Sequence, residues 1–388
     1  MQQLKIAYYC QHVLGIGHFH RSLAICRAIA KNSSTTLILG GPTVNVDCSD
    51  LGVVQLPGLQ MDQNFKNLSP CNPNHTLKKT KELRQEQLYD YFYHAKPNIF
   101  ITELYPFGRK AFRFELDPVL SEIANGSLAP CKVYSSVRDI LVEKETGREK
   151  FESRVVNTVN SFFDGVLIHS DPQIITLDQT FNRLSDITVP LKYTGFVSPK
   201  KQPSPEQKKG IREKLGIPSE TKLIVASIGG GNVGAELLKS SIAAFHLMDN
   251  FPARFHLQLF CGPYFSQKTF DQLQENSSAN ITLQRFTDRF PEWLEVADLS
   301  ISMAGYNTCM NLAEAGIPAL VYPFAQNREQ TLRAETLSQQ LPIGILTDKD
   351  LQPANLVRKI EKQLQLTRIK HRINLNGAVE SARIIHST

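Results

Sequence analysis

Cysteine, long apolar runs and concentrated charge are all scarce in this chain of 388 residues. The seven cysteines form no Cys-x-x-Cys pair, which argues against a zinc ribbon or a disulfide framework and predicts a reducing compartment. Apolar runs such as Ile317–Tyr322 are far shorter than the ~20 residues that span a bilayer. The 43 Lys+Arg against 37 Asp+Glu form no basic stripe, so we expect no nucleic-acid partner.

Apolar residues make up 41% of the sequence, which is enough to bury a large core. A single core stops growing at roughly 250–300 residues, so two domains are expected. The first residues run directly into an apolar strand without a charged region and a long apolar region before it, so we expect no secretory signal. A cytoplasmic location is expected, and peripheral contact with the inner face of the membrane is left open.

Short apolar runs alternate with helix-like stretches, a pattern that predicts parallel sheets with right-handed crossovers. The segment Pro57–Leu77 is loop-like, and Leu77–His94 predicts an amphipathic helix. The predicted strands of the first half are Leu4–Cys10, Thr35–Leu39, Asn98–Thr102, Lys132–Ser136 and Gly165–His169. Those of the second half are Lys222–Ile228, Phe255–Phe260, Ile281–Gln284, Leu299–Ser302 and Pro318–Tyr322.

A cluster of Pro and Lys at Ser198–Pro205 marks the clearest boundary. We predict an N-terminal α/β domain over 1–198, a C-terminal α/β domain over 199–370, and a last segment over 371–388 within a helix predicted from Ile369 to Thr388. Ligands bind at the carboxyl ends of the strands in open α/β sheets. The expected site is therefore a cleft between the two domains.

The first strand is followed by Gly15-Ile16-Gly17-His18. The dinucleotide fingerprint needs a third glycine where His20 stands, so that motif fails. A histidine at the mouth of a helix has a lowered pKa and suits a general base that takes a proton from a hydroxyl. The alternative, that His18 caps the helix or packs on the turn, stays open on this evidence alone.

The first strand of the second domain is followed by Gly229-Gly230-Gly231-Asn232. Consecutive glycines between a strand and a helix can present backbone N–H groups to an anion. The pattern is no Walker loop, and a plain tight turn is an equally good interpretation.

The segment Ser302–Gln330 is the most specific signal in the chain. Gly305-Tyr306-Asn307-Thr308 opens a helix directly after a strand, with Asn307 and Thr308 suited to cap it. Such a helix N-terminus is a natural phosphate site. Glu329-Gln330 further on pairs a carboxylate with an amide, which suits sugar hydroxyls.

These motifs resemble the GT-B glycosyltransferases, most closely the branch around MurG in glycosyltransferase family 28, and are similar to the UDP-glycosyltransferase superfamily. The matching stretch is Gly305-Tyr306-Asn307-Thr308, then Gly316-Ile317-Pro318, Pro323 and Glu329-Gln330. The phrase Tyr193-Thr194-Gly195-Phe196-Val197 is shared with bacterial predicted glycosyltransferases. The resemblance implies a GT-B fold, two Rossmann-like domains with parallel sheets facing across a cleft. The domain over 1–198 would bind the acceptor, the domain over 199–370 would bind the nucleotide sugar, and the C-terminal helix over 371–388 would cross back to the N-terminal domain.

The resemblance also implies roles for individual residues. His18 would be the base, and Glu103 would orient it, with Asp139 as second candidate. Gly15, Gly17 and Asp139 would lie on the acceptor side. The implied donor site comprises Gly230, Gly231, Asn232, Gly305, Tyr306, Asn307 and Thr308 near the phosphates, Phe286 and Thr287 at the nucleobase, and Glu329 and Gln330 at the sugar. The family's phosphate-contacting histidine is Met303 here, and its ribose-binding glutamate is Asn311, for which Glu314 could substitute.

The implied function is an inverting, metal-independent transfer of a hexose-type sugar from a nucleoside-diphosphate donor, with UDP expected, to a hydroxyl. The nucleotide sugar is a co-substrate, and no cofactor or metal is expected. The acceptor, whether glycan, lipid or small metabolite, and the oligomeric state are left open. Two alternatives remain: a nucleotide-sugar 2-epimerase or hydrolase on the same fold, and a non-catalytic accessory subunit.

Overall fold

The computed structural model describes residues 3–12, 17–43, 46–61, 67–143, 146–198, 204–214, 216–218, 220–231, 233–248, 253–324 and 328–388. The chain divides into two compact units. Unit 1 comprises 1–197 together with 374–388, and unit 2 comprises 198–373. None of the described helices is long and apolar enough to cross a membrane.

Unit 1 is built on a seven-stranded sheet. Its strands and helices are β1 (Lys5–Cys10), α1 (Gly17–Ala30), β2 (Ser34–Leu39), β3 (Gly52–Gln55), β4 (Leu59–Met61), β5 (Leu68–Pro70), α2 (Leu77–Ala95), β6 (Ile99–Glu103), α3 (Arg113–Ala124), β7 (Lys132–Arg138), α4 (Arg148–Phe162), β8 (Gly165–His169) and β9 (Leu191–Tyr193). The sheet order is β3-β2-β1-β6-β7-β8-β9, and every neighbouring pair is parallel.

The sheet of unit 1 is covered on both faces, so β1 is buried along nearly its whole length. Ile6 and Tyr8 pack into the cluster that contains Phe19 of α1, while Ala7 and Tyr9 pack into the opposite cluster with Leu88 of α2. Because side chains alternate along a strand, the apolar run Ile6–Cys10 supplies both cores at once.

Unit 2 is built on a six-stranded parallel sheet. Its elements are α5 (Pro205–Lys214), β10 (Lys222–Ser227), α6 (Ala235–His246), β11 (Phe255–Phe260), α7 (Gln267–Glu275), β12 (Ile281–Gln284), α8 (Phe290–Val296), β13 (Leu299–Met303), α9 (Tyr306–Ala315), β14 (Ala319–Tyr322), α10 (Arg328–Ser338), β15 (Ile343–Ile345) and α11 (Pro353–Leu364). The sheet order is β12-β11-β10-β13-β14-β15.

The last helix, α12 (Gly377–His386), belongs to unit 1, where Ile385 packs in the same cluster as Phe19 of α1. The predicted helix over 369–388 is wrong in its first eight residues. There the backbone pairs with a neighbouring segment: Phe196 N donates to Asn374 O at 2.8 Å, and Gly377 N donates to Phe196 O at 2.8 Å. These long-range hydrogen bonds hold the segment extended and override its local helical pattern.

Five of the described strands lie outside the sequence prediction: β3, β4, β5, β9 and β15. The loop-like segment after Pro57 contains a short antiparallel pair, β4 and β5. The edge strand β3 was not predicted, because its Val53 and Val54 lie at a largely exposed edge and are too few to form an apolar run. By contrast, the predicted strands Gly165–His169, Phe255–Phe260 and Ile281–Gln284 are confirmed residue for residue.

Candidate active site

His18 and Glu103 lie together at the carboxyl edge of the unit 1 sheet. His18 is the second residue of α1, and Glu103 is the last residue of β6, which neighbours β1. His18 Nδ1 lies 2.6 Å from Glu103 Oε1. Arg21 Nη2, which can only donate, lies 3.2 Å from the same Nδ1, but the carboxylate, which can only accept when ionised, is closer. Nδ1 therefore carries the proton and donates to Glu103, and Nε2 keeps its lone pair.

Two arginines share the Glu103 carboxylate. Arg21 Nη2 donates to Glu103 Oε1 at 2.6 Å, and Arg109 Nε lies 3.4 Å from Oε2. Burial raises the pKa of Glu103, but the charges and hydrogen bonds of His18, Arg109 and Arg21 lower it, and the net pKa falls well below the usual range. Glu103 is therefore a buried carboxylate anion at neutral pH.

The same surroundings keep His18 uncharged. Burial lowers the pKa of His18, Glu103 raises it, and Arg109 and Arg21 lower it again, which leaves the pKa at about 4. The side chain of His18 is still 21% exposed, so its ring can meet a ligand. A neutral imidazole with one oriented N–H has the form that a general base requires.

The remaining predicted residues of unit 1 are placed as follows. Asp139 is fully buried and directly follows β7, the strand next to β6. Glu103 is the carboxylate that contacts Nδ1 of His18. Gly17 is the first residue of α1, and Gly15 lies outside the described residues.

A chain of buried hydrogen bonds supports the strands beneath this site. Tyr8 OH lies 2.7 Å from Ser136 Oγ, which lies 2.6 Å from His169 Nε2. His169 Nδ1 lies 2.9 Å from Thr194 Oγ1, which donates to Gly195 O at 3.0 Å. Every hydroxyl and ring nitrogen in this chain has a partner if each group donates to the next one. That order requires a neutral His169, and burial lowers the pKa of His169 to about 3.

In unit 2 the glycine turn after β10 is tightly packed at one end and open in the middle. A Cβ on Gly231 would lie 2.5 Å from Cys261 O, and Gly231 has a positive φ of 94°. A Cβ on Gly230 would meet only the ring of Tyr264, at 3.8 Å. The backbone at Gly230 is therefore open to close approach. Asn232 lies outside the described residues.

The predicted phosphate turn lies between β13 and α9, but its cap differs from the prediction. Gly305 is the N-cap, with φ −67° and ψ 152° and no side-chain cap hydrogen bond. Asn307 and Thr308 lie inside the first helical turn, so the prediction that they cap the helix is wrong. An α-helix leaves its first N–H groups without partners in the helix, which suits them to an anion.

Phe286 and Thr287 follow the carboxyl end of the edge strand β12. Phe286 is 46% exposed, which is unusual for a large apolar side chain and suits stacking against a flat ring. Thr287 Oγ1 accepts from Arg289 N at 3.0 Å, so its hydroxyl shapes the local turn.

Two departures from the family pattern have clear structural settings. Met303 is buried in the unit 2 core, where its Sδ would lie 3.0 Å from a Cβ on Gly234. Asn311 lies on α9, and its Oδ1 is buried without a hydrogen-bond partner among the described residues. Glu314 lies one turn further along α9.

Glu329 and Gln330 lie in the first turn of α10, after β14. Gln330 Oε1 accepts from Phe324 N at 3.0 Å. Glu329 forms a buried ion pair with Arg333, whose Nη2 donates to its Oε1 at 2.9 Å. Arg333 is fully buried and also donates to Ala304 O at 3.2 Å.

Sequence reasoning missed three arginines: Arg21, Arg109 and Arg333. Two of them carried a usable signal, because Arg21 follows His18 by three residues and Arg333 follows Glu329 by four, the spacings that face each other on a helix. Arg109 carried none, since a loop with a positive φ of 55° at Arg109 brings it to Glu103.

The sequence contains one Asp-x-Asp triplet, Asp348-Lys349-Asp350. Asp348 Oδ1 accepts from Tyr322 OH at 2.6 Å, and Asp350 closes a capping box with Thr347. Both carboxylates thus have local structural roles. Among the described residues, no group of three His, Cys, Asp or Glu side chains is arranged to hold a metal ion.

The carboxyl edge of the unit 2 sheet thus presents turns after β10, β12, β13 and β14. Residues 225–377 match the glycosyltransferase family 28 C-terminal domain. This part of the chain is therefore similar to the family 28 C-terminal domain. A relative from Acetivibrio thermocellus, named UDP-N-acetylglucosamine--N-acetylmuramyl-(pentapeptide) pyrophosphoryl-undecaprenol N-acetylglucosamine transferase, is 27% identical over 179 residues, 46% of this chain and 47% of the relative. The chain spans about half the length of the curated relatives it matches.

Solved structures extend the similarity beyond the family 28 domain to the fold of the whole chain. A glycotransferase of kitacinnamycin covers 100% of this chain and 99% of its own, with TM-score 0.63 and 14% identity. MurG of Acinetobacter baumannii covers 98% and 95%, with TM-score 0.53 and 15% identity. A putative UDP-N-acetylglucosamine 2-epimerase from Listeria monocytogenes covers 99% and 95%, with TM-score 0.63 and 11% identity. The predicted GT-B fold and MurG-like relationship are confirmed.

Proposed function

We propose that the protein is an inverting glycosyltransferase that moves a hexose-type sugar from a nucleoside-diphosphate donor, UDP being expected, to a hydroxyl acceptor. The observation that carries the proposal is the 2.6 Å contact between His18 Nδ1 and Glu103 Oε1, in a chain whose residues 225–377 match the family 28 C-terminal domain. The relative from Acetivibrio thermocellus is named as a transferase of N-acetylglucosamine from UDP, which supports a UDP-sugar donor.

The proposed reaction begins with proton removal. His18 Nε2 takes the proton of the acceptor hydroxyl as the oxygen forms a bond to the anomeric carbon. The bond from that carbon to the diphosphate breaks from the opposite face, which inverts the anomeric configuration. The bonding electrons leave with the nucleoside diphosphate, and the protonated His18 then releases its proton to solvent.

The leaving diphosphate gains negative charge during this step. The turn at Gly305 and the N-terminus of α9 would stabilise that charge through backbone N–H groups, which are held in place before the reaction. Gly230 offers a second place of close backbone approach. No step of this mechanism requires a metal ion.

Isothermal titration calorimetry tests the donor assignment directly. We expect UDP to bind, and UMP to bind at least tenfold more weakly, because the diphosphate provides much of the interaction. Absence of binding by UDP and by GDP, ADP, CDP and dTDP, together with unaltered biological activity of His18→Ala, would favour the accessory subunit.

A 2-epimerase or hydrolase is the second candidate, because the Listeria protein named as a putative 2-epimerase matches this chain with the same TM-score as the kitacinnamycin enzyme. The fold therefore does not separate the two reactions. Incubation of each UDP-sugar alone, followed by chromatography, separates them. We expect the sugar nucleotide to be stable until an acceptor is added, whereas turnover without an acceptor would support the second candidate.

A further inference from the structure

The Glu103 carboxylate is the centre of a buried charge cluster rather than one half of a simple pair. Its side chain is fully buried, and Oε1 is shared by His18 Nδ1 and Arg21 Nη2, each at 2.6 Å. Arg109 Nε lies 3.4 Å from Oε2. The side chains of Arg21 and Arg109 are only 2% and 12% exposed.

The backbone is built to bring both arginines to this carboxylate. Arg21 lies one helical turn after His18 on α1, so the two side chains share a face. The loop that leaves β6 has positive φ at both ends, 63° at Leu104 and 55° at Arg109. Such angles are costly for residues other than glycine and persist only where the surrounding contacts compensate.

A buried carboxylate without cationic partners takes up a proton. A protonated Glu103 could donate a hydrogen bond itself and would no longer select the imidazole tautomer with the proton on Nδ1. The cations therefore decide which nitrogen of His18 is left to act on a substrate.

We propose that Arg21 and Arg109 are positioning residues: they hold Glu103 as a carboxylate, and through it they hold His18 in the neutral tautomer whose Nε2 accepts the proton. The catalytic meaning of this proposal rests on the proposed function. The electrostatic arrangement itself does not, and it is measurable in the ligand-free protein.

The charged groups around His18 act in opposite directions. Glu103 at the end of β6 raises the pKa of His18, whereas Arg109 in the following loop and Arg21 on α1 lower it. The neighbouring Cys10 on β1 adds no charge at neutral pH, because burial raises its pKa to about 12. His12 adds no charge at pH 7 either, because burial lowers its pKa and keeps the ring neutral.

NMR of protein labelled with ¹⁵N-histidine reports both the tautomer and the pKa of each ring, and His18→Asn assigns the His18 signals. We expect the wild-type ring to be neutral, with Nδ1 protonated, from pH 8 down to about pH 5. Arg109→Met removes one cation, and while Arg21 keeps Glu103 ionised the pKa of His18 is expected to rise by about one unit. Any share of Glu103 that takes up a proton in this variant is expected to appear as a mixture of the two His18 tautomers. Glu103→Gln removes the anion and is expected to lower it and to mix the tautomers.

Conservative and distant variants complete the test. Arg109→Lys keeps the charge, so its His18 pKa should stay near the wild-type value. Arg27→Met is the matched control, because Arg27 lies on α1 but pairs with the exposed Asp50 at 2.9 Å. If Arg21→Met does not fold, the circular dichroism spectrum will show it, and Arg109→Met, whose contact with Glu103 is longer, still decides the question.

An unchanged tautomer and pKa in Arg109→Met, with the fold intact, overturns the proposal for Arg109. Nδ1 unprotonated in the wild type overturns it for both arginines. A protein that shows the expected NMR behaviour but neither binds nor turns over any nucleotide sugar contradicts the proposed function and leaves the electrostatic arrangement standing.

Discussion

The guanidinium of Arg333 lies over the ring of Tyr306, 5.5 Å from its centroid. Arg333 belongs to α10 and Tyr306 to the first turn of α9. The same guanidinium binds Glu329 and the carbonyl of Ala304. One buried side chain thus connects the proposed phosphate turn with the proposed sugar-binding carboxylate.

This connection predicts that Arg333→Met damages the donor site as well as the fold. Removing one partner of a buried ion pair costs about 3–5 kcal/mol, because it leaves an uncompensated charge. We expect urea denaturation to show a loss of that order and calorimetry to show at least tenfold weaker UDP binding. Arg358→Met, at an exposed position on α11, is the control, and equal UDP affinity in both variants would contradict the connection.

The glycines of the two donor turns allow a test that spares the fold. A Cβ on Gly305 meets nothing within 4 Å, and one on Gly230 meets only Tyr264 at 3.8 Å. Gly305→Ala and Gly230→Ala should therefore keep a stability within about 1 kcal/mol of the wild type. Both are expected to weaken UDP binding at least tenfold, measured by calorimetry. Gly210→Ala, also in open space but on α5, should bind UDP normally.

The histidine–glutamate pair predicts a loss of turnover without a loss of donor binding. His18→Ala should lower kcat by about 10²–10⁴, the usual contribution of a general base. Glu103→Gln should lower it less, because the imidazole remains. Steady-state kinetics with an active donor and acceptor, beside UDP calorimetry, checks both. His75→Ala replaces a histidine outside the cluster and should behave as wild type, and a similar loss there would contradict the assignment.

Buried neutral histidines make stability depend on pH. Burial lowers the pKa of His169 to about 3 in the folded protein, whereas in the unfolded chain it is about 6.5. Between these two pH values the unfolded chain binds a proton at His169 and the folded protein does not. Folding stability is therefore full above pH 6.5 and falls below it by up to about 1.4 kcal/mol per pH unit for this group. Urea denaturation at pH 7, 6 and 5 should show the decline, and His169→Gln should make it shallower. An equal slope in both proteins would contradict the role of His169.

A second buried ion pair in unit 1 joins Arg84 of α2 to Glu115 of α3. Both are fully buried, with Arg84 Nη2 2.5 Å from Glu115 Oε1, and Arg84 Nη1 also donates to Gly40 O and Pro57 O. We expect Glu115→Gln to cost about 3–5 kcal/mol in urea denaturation, since it leaves a buried guanidinium unpaired. The exposed Glu86→Gln should change stability by less than about 0.5 kcal/mol.

Local sequence was sufficient for most of the fold. The buried strands were predictable because each is a short apolar run between turn residues, and strands such as Phe255–Phe260 match the structure. The helix prediction over 369–388 is wrong in its first part because the apolar spacing suits a helix, whereas hydrogen bonds with Phe196 hold the backbone at Asn374 extended. The predicted cap at Asn307 and Thr308 is wrong because these residue types are common caps, whereas the helix already begins after Gly305.

The sequence alone determined that the chain forms two parallel α/β units, that a histidine opens the first crossover helix, and that a glycine turn precedes α9. These features depend on residues close together in the chain, whose preferences act locally. The tertiary structure alone decided that Glu103, 85 residues after His18, accepts a hydrogen bond from its Nδ1, that Arg109 contacts Glu103, and that Arg333 reaches the carbonyl of Ala304. Such contacts depend on which strands become neighbours and on how a loop bends, and no local pattern encodes that.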